Sequence, residues 1–392
     1  MVSHEGGGPG NRVILLSAGE VSGDLHGSGL CRALRRLDPG IRLVGMGGPR
    51  MAAAGMEALV DLTAHAVVGG TEAVGRLPRL FHAFRVLRAR LGRDRPRALV
   101  LIDFPEFNLQ LARSARRAGV PVVYFIPPQL WAWRRGRLRT LARRVSRVLA
   151  VLPFETALYE RAGVPVSYVG HPLLDVVPAR LTRAAARGRL GLGPDEPVLG
   201  VLPGSRREEV TRLLPTMAGA AAGLARSGVV SRIVLALAPG LERTAVERVL
   251  RATEPGEQRV EIVQDATYDV LAAADAALVC SGTATLEAAL LGTPMVVCYR
   301  MSFVTAALVS LLLRTPWASL PNNILGRAVV PELLQYRLTA ARLEAEALRL
   351  LRDPDAGAAQ REAFRELRRV LGDPGVAERA ARAVLDVAGA AR

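Results

Sequence analysis

At 392 residues the chain exceeds the size at which a single hydrophobic core stops growing, so two domains are expected, and an apolar half of the composition is enough to fill two cores. Its 52 basic residues against 36 acidic ones give a net charge of +16, and every basic residue is arginine. Without lysine the chain forms no Walker A loop, no Schiff base and no pyridoxal-phosphate site, while the basic excess predicts attraction to nucleic acid, anionic membrane or phosphorylated substrate without choosing among them.

The first eight residues, Met1 to Gly8, have neither a basic n-region nor an apolar h-region, so no signal peptide is indicated. A strand is expected near 12–17, and the stretch from Val13 to Gly29 then breaks into small residues and opens a helix. Such a glycine-rich exit lets a ligand approach the backbone closely. The loop carries two acids, Glu20 and Asp24, and no cation, so it suits sugar hydroxyls or proton transfer better than a nucleotide's phosphates. Further strands are expected near 42–46, 98–103, 120–126 and 147–152, separated by amphipathic stretches such as 23–37, 76–91 and 107–118. Alternation of this kind predicts right-handed βαβ units and a parallel sheet, with ligands at the carboxyl ends of its strands.

The run Ala98 to Ile102 ends in Asp103-Phe104-Pro105-Glu106-Phe107-Asn108. A carboxylate at a strand's carboxyl end can serve as general base toward a sugar hydroxyl; equally, Asp103 or Asn108 can cap the helix that follows. From Phe107 to Phe154 there is no acid at all, but there are ten arginines, seven of them between 134 and 147. Trp131 and Trp133 beside Arg134 suit a membrane interface or an amphiphilic anionic substrate, and an ordinary solvated arginine helix is the alternative. His171, in Val169-Gly170-His171-Pro172, stands where it either contacts a ligand or fixes a hinge turn.

After a Pro- and Arg-rich stretch near 172–196 the alternation restarts, with strands expected at 197–202, 232–238, 259–263, 276–280 and 295–299. The first of these runs into Pro203-Gly204-Ser205-Arg206, where backbone donors, a hydroxyl and a forked cation match phosphate oxygens. The fourth runs into Ser281-Gly282-Thr283, a helix N-terminus suited to a diphosphate, with Glu287 one turn further in on a face that can accept from ribose hydroxyls. A plain N-cap with a capping-box Glu is the competing account. Two anion-binding turns in one half imply a nucleotide diphosphate held without lysine.

The uncharged run Ser302 to Leu313 is about 12 residues, short of the roughly 20 that span a bilayer, so it is a buried helix or a surface-lying membrane contact. The tail from 339 to 391 shows only helical patterning, with helix starts expected at Asp353-Pro354 and Asp373-Pro374. Asp353-Pro354-Asp355 is the one Asp-x-Asp of the chain and reads as a helix boundary rather than a metal site. Cys31, Cys280 and Cys298 are odd in number, widely spaced and set in apolar runs, which reads as buried thiols in the cytoplasm.

These motifs together resemble the lipid-A-disaccharide synthase family, metal-independent inverting glycosyltransferases of the two-Rossmann GT-B fold. The similarity is ordered along the chain: Ser-Ala-Gly-Glu-Val-Ser-Gly-Asp (17–24), Gly-Met-Gly-Gly-Pro-Arg-Met (45–51), Asp-Phe-Pro-Glu-Phe-Asn (103–108), Trp-Ala-Trp-Arg (131–134) and Val-Gly-His-Pro-Leu (169–173). It continues through Leu-Pro-Gly-Ser-Arg (202–206), Ser-Gly-Thr-Ala-Thr-Leu-Glu (281–287) and Pro-Asn-Asn-Ile-Leu-Gly-Arg, which brings in Asn322. Two departures stand out: Pro127-Pro128-Gln129-Leu130 replaces the expected hydroxyl-bearing residues before Trp131, and 301–316 is less basic than in relatives.

The resemblance implies an α/β protein of two Rossmann-like domains facing across a cleft. An acceptor domain is expected over 1–172, a UDP-sugar domain over 173–338, and a helical tail over 339–392 packing back toward the first. The implied reaction joins UDP-2,3-diacylglucosamine to 2,3-diacylglucosamine 1-phosphate (lipid X), giving the β-1,6 disaccharide phosphate and UDP, with no cofactor and no metal. Asp103 is the favoured base, with Glu20 and Asp24 beside it. Gly204, Ser205, Arg206, Ser281, Gly282, Thr283, Glu287, Asn322 and His171 take the donor. Trp131, Trp133, Arg134 and Asn108 take the acceptor or the membrane. The expected setting is the cytoplasmic face of a Gram-negative inner membrane, peripherally bound, without nucleic acid; homodimerisation stays open. Two rival readings are another GT-B UDP-sugar enzyme such as a UDP-N-acetylglucosamine 2-epimerase, and, from the charge, a basic nucleic-acid-binding protein, against which stand a low aromatic content and the lack of a recognition motif.

Overall fold

The computed structural model describes residues 12–63, 73–128, 137–253, 260–301 and 315–390. All strand pairings among them are parallel, and the strands fall into two sheets. The chain divides into two compact units, one built from the segments up to Pro172 together with Asp373–Arg392, the other from Leu173–Gly372.

The first unit contains β1 (Val13–Ala18), β2 (Arg42–Met46), β3 (Glu57–Val60), β4 (Ala98–Ile102), β5 (Val122–Phe125), β6 (Arg147–Ala150) and β7 (Val166–Tyr168), in the order β3-β2-β1-β4-β5-β6-β7. Helices α1 (Val21–Leu37), α2 (Pro49–Ala53), α3 (Ala73–Asp94), α4 (Pro105–Arg117), α5 (Arg137–Arg144) and α6 (Pro153–Arg161) link them. β1 and β4 are buried along their whole length, which is why they read as unbroken apolar runs: both faces of a parallel sheet are covered by helices.

The second unit opens with α7 (Leu173–Val176) and α8 (Arg183–Arg189), and its strands are β8 (Val198–Leu202), β9 (Arg232–Leu237), β10 (Val260–Gln264), β11 (Ala276–Cys280), β12 (Met295–Tyr299) and β13 (Glu332–Leu334). They lie in the order β10-β9-β8-β11-β12-β13. Between and after them run α9 (Arg207–Arg226), α10 (Arg243–Thr253), α11 (Thr267–Ala273), α12 (Thr283–Leu291), α13 (Leu320–Leu325), α14 (Ala340–Arg352) and α15 (Pro354–Leu371). In both sheets the chain order reverses beside the first strand of the unit, at β1/β4 and at β8/β11, the points where such folds hold ligands.

Three strands escape the sequence reading: β3, β7 and β13. Each sits at a sheet edge and has only three or four residues, and β3 and β13 begin with a glutamate. Half-buried edges need no apolar run, so they leave none to find.

The helical tail is shared. α14 packs on α9 and the second sheet and α15 on α12, whereas the last helix, α16 (Val376–Ala390), lies on α1 of the first unit. Asp353 caps α15 as its Asp-Pro pair predicts, accepting from Asp355 N–H at 3.0 Å. The second Asp-Pro pair behaves differently, because α16 starts only at Val376. Its carbonyls serve Arg379 instead: the guanidinium donates to Asp373 O at 2.6 Å, Pro374 O at 2.8 Å and Val169 O at 2.9 Å. One side chain thus grips the chain just before it leaves the first unit and just after it returns. Cys31, Cys280 and Cys298 are buried and unbonded, and burial raises all three thiols, leaving them inert. No helix among the described residues is long and apolar enough to cross a membrane.

Candidate active site

In the first unit the candidate residues gather at the carboxyl ends of β1 and β4, neighbours with Ala18 opposite Ile102. The chain leaves both strands at the same level, through Gly19 and Glu20 on one and Asp103 and Phe104 on the other. The two exits are in close packing: a Cβ on Gly19 would lie 2.4 Å from the Phe104 ring, so only glycine fits. Glu20 occupies the N-cap position of α1 in extended backbone, and its side chain makes no cap hydrogen bond.

Asp103 and Phe104 both take left-handed backbone, with φ of +49° and +51°. Ile126, just beyond the neighbouring β5, does the same at +57°. Such a conformation costs a non-glycine residue about 1–3 kcal/mol, so the surroundings must hold it. They hold it at the Asp103 carbonyl, which accepts from Asn108 Nδ2 at 2.7 Å and from the Tyr124 hydroxyl at 2.8 Å. The Asp103 N–H donates to Phe125 O at 3.2 Å. The carboxyl group of Asp103 is carried, half-buried, on a strand end whose direction is fixed from beneath.

Asn108 is itself fully buried. Its Nδ2 also points to Ser17 O and Ile102 O, both at 3.3 Å, and its Oδ1 accepts from Ser17 Oγ at 2.6 Å. Every bond it makes is internal, and it joins the ends of β1 and β4 rather than facing a ligand. Asp24 is also an inward group. Its carboxylate, only 3 % exposed, accepts from the N–H groups of Gly48 at 2.8 Å, Met51 at 3.0 Å and Arg50 at 3.1 Å. It therefore caps α2 from the neighbouring loop, a negative charge against a helix N-terminus. A Cβ on Gly48 would stand 2.7 Å from Asp24 Oδ2, which accounts for the glycine in the 45–51 motif.

Two buried histidines complete this unit. His26 and His171 meet edge to face with ring centroids 6.4 Å apart. Burial lowers His26 to about 4, with Arg50 adding to the effect, and lowers His171 to about 3, with His26 adding to it. Both are neutral at ordinary pH, and Nδ1 of His26 has no hydrogen-bond partner among the described residues.

In the second unit the two turns differ. After β8, Gly204 has φ of +117°, and the carboxylate of Glu209 folds back onto the turn. It accepts from Ser205 N–H at 3.0 Å, from Arg206 N–H at 3.2 Å and from the Arg206 guanidinium at 3.2 Å. The turn does bind an anion, and that anion is the protein's own. After β11, Gly282 at φ +141° begins α12 with no side-chain cap, so the capping-box account of Glu287 does not hold. Ser281 Oγ donates to Ala318 O at 2.8 Å, Thr283 is exposed, and Glu287 Oε1 accepts from the Tyr268 hydroxyl at 3.1 Å.

Asn322 is 1 % exposed and serves as an internal post. Its Oδ1 accepts from Val329 N–H at 2.7 Å and Val330 N–H at 2.9 Å; its Nδ2 donates to Glu332 at 2.8 Å and Val330 O at 3.0 Å. Glu332 in turn gathers Ala318 N–H, Ser319 N–H and the Ser319 hydroxyl, fixing the segment onto which Ser281 is tied. Trp131, Trp133, Arg134 and the 302–313 run lie outside the described residues. Sequence reasoning missed Tyr124, Glu209, Tyr268 and Glu332. For Glu209 a signal existed, an acid three residues after the turn's last donor; the others act through partners far away in sequence.

Solved structures with the same fold include a putative UDP-N-acetylglucosamine 2-epimerase from Listeria monocytogenes, at TM-score 0.67 and 13 % identity over 96 % of this chain and 95 % of that one. They also include MurG from Acinetobacter baumannii, at TM-score 0.56 and 14 % identity over 95 % of this chain and 99 % of that one. Two parallel α/β units of this topology, shared with these structures, define the GT-B fold class.

A family model described as lipid-A-disaccharide synthetase matches residues 14–387. Proteins named lipid-A-disaccharide synthase from Syntrophus aciditrophicus and Geobacter sulfurreducens are 45 % and 43 % identical to it, covering 95 % and 96 % of this chain and 96 % and 97 % of theirs. The chain belongs to the lipid-A-disaccharide synthase family.

Proposed function

We propose that the protein transfers the diacylglucosamine unit of UDP-2,3-diacylglucosamine to the 6-hydroxyl of 2,3-diacylglucosamine 1-phosphate, releasing UDP in one inverting displacement. Family membership over nearly the whole chain carries this reading. The second unit takes the donor. Its diphosphate is assigned to the N-termini of α9 and α12 with Arg206, and its ribose to Glu287. These groups stabilise the negative charge that develops on the departing UDP. Asp103 of the first unit is the base that takes the proton of the acceptor hydroxyl as the new C–O bond forms. What supports this role is its place on a strand end held in left-handed backbone, since a general base needs a fixed direction. Glu20 beside it accepts from acceptor hydroxyls, while Asp24 and Asn108 hold the two loops in place. His171, neutral and buried, is assigned to the hinge turn. Acyl chains and phosphate suit the arginine-rich stretch that includes Arg139 and Arg143, Trp131 and Trp133, and the 302–313 run, and these are assigned to a peripheral contact with the inner membrane.

The test is UDP release measured with both acylated sugars, against each alone. Release that requires both supports the reading; donor turnover to an epimer without acceptor replaces it with an epimerase. Asp103→Ala is expected to abolish release while leaving UDP affinity within about twofold, because the base touches no part of the nucleotide.

A further inference from the structure

Tyr268 belongs to no motif, yet its hydroxyl donates to Glu287 Oε1 at 3.1 Å. The two residues come from opposite directions. Glu287 stands one turn into α12, beyond the uncapped Gly282 turn at the end of β11. Tyr268 stands on α11, which leaves the end of β10 through Asp265 in left-handed backbone at φ +56°. In the sheet β10 is separated from β11 by β9 and β8. α11 crosses this gap, packs against β9, β8 and α12, and so delivers a phenol to a carboxylate across two intervening strands.

Packing alone does not require that phenol. Phenylalanine would fill the same half-buried space, whereas the hydroxyl adds a charge-assisted hydrogen bond that restricts the torsions of the Glu287 side chain. A carboxylate has roughly four lone-pair sites, and one phenol uses one of them. Holding Oε1 from the α11 side fixes the carboxylate one helical turn beyond the Ser281–Thr283 turn, where a nucleotide's sugar would follow its diphosphate.

We infer that Tyr268 is a positioning residue for the nucleoside sugar: it orients Glu287 so that the carboxylate accepts from the vicinal hydroxyls of the donor's ribose. The inference rests on the proposed donor site in the second unit. It predicts that Tyr268 affects binding only of nucleotides that carry those hydroxyls.

The experiment is calorimetric titration of the full chain with UDP and with 2′,3′-dideoxy-UDP, for wild type, Tyr268→Phe, Glu287→Gln and the double variant, with donor KM and kcat measured alongside. Wild type is expected to prefer UDP over the dideoxy nucleotide. Tyr268→Phe is expected to weaken UDP by about five- to twentyfold, the range of a hydrogen bond to a charged group, with dideoxy-UDP affinity unchanged and the loss in KM rather than kcat. In the double variant the Tyr268 effect should vanish, because its partner is already lost. Equal weakening of both nucleotides by Tyr268→Phe, or no weakening, overturns the role of Tyr268 while Glu287→Gln still reports on the donor site. A wild type that does not distinguish the two nucleotides, or a Glu287→Gln variant that keeps the distinction, overturns both readings together.

Discussion

The side-chain amide of Asn108 donates to the main-chain oxygen of Asp103 at 2.7 Å, holding from below the residue whose carboxyl group stands at the end of β4. Because Asn108 is completely buried and bonded at both ends, its loss removes the bond from Ser17 Oγ and those to the Ser17 and Ile102 carbonyls, and leaves the Asp103 carbonyl with the Tyr124 hydroxyl. Asn108→Ala is expected to lower stability by about 3 kcal/mol in urea unfolding. If the support matters to chemistry, kcat should fall at least about tenfold while UDP affinity stays unchanged, since the nucleotide is assigned to the other unit. A stability loss with kcat intact would separate Asn108 from the orientation of Asp103.

Asp24 makes a similar case at the other loop. Three backbone N–H groups converge on it, and the site is nearly closed to water. Asp24→Ala is expected to cost about 3 kcal/mol, and Asp24→Asn less, because the amide oxygen still accepts. Proteolysis near 48–51 reports the loosening directly: the alanine variant should be cut there and the wild type should not.

The histidine pair is expected to make stability depend on pH. The native forms stay neutral down to about 4 and about 3, against the ordinary 6.5 of the unfolded chain. Below pH 6.5 the unfolded chain therefore takes up protons that the native one refuses. Stability is full above that point and falls as the medium acidifies toward 4, by about 1.4 kcal/mol per pH unit for each histidine. Urea midpoints between pH 7 and 4.5 should trace this decline, and His26→Leu should make it shallower. An unchanged slope in that variant would show that His26 titrates normally in the folded protein.

Glu209 accepts from the Ser205 and Arg206 amides, which the proposed donor site assigns to the diphosphate. Glu209→Gln removes the negative charge from the turn but keeps an acceptor, so UDP should bind about threefold more tightly, an effect near 0.7 kcal/mol. The gain should fade at high salt, as electrostatic terms do. Weaker binding would mean that the carboxylate shapes the turn that the nucleotide enters.

Most of the fold was legible because its strands are buried on both faces and end abruptly. β1, β4, β8 and β11 are apolar runs stopped by small or acidic residues, and two parallel α/β halves follow from their alternation with helices, whereas the GT-B assignment came with the family resemblance. The short edges β3, β7 and β13 were not legible, being three or four residues long with no run of buried apolar positions to mark them. Within the candidate site, the motifs pointed to strand ends but not to the contacts each residue makes there. Nothing local distinguishes Asp24, which is consumed by amides 24 to 27 positions away, from Asp103, whose carbonyl is held while its carboxyl group is presented. Tyr268 and Glu287 are 19 positions apart on different helices, and only the crossing of α11 brings them together. Such pairings depend on topology, and the local pattern carries no trace of them.

The grip of Arg379 on Val169, Asp373 and Pro374 bears on how the gene can be cut. A fragment stopped at residue 172 would lack α16 and expose the flank of α1, so the first unit cannot be produced by simple truncation. Joined directly from Pro172 to Asp373, the same unit keeps its helix and its clasp. The second unit is then an insert, and the joined first unit is expected to unfold cooperatively on its own, which a urea melt of that fragment checks.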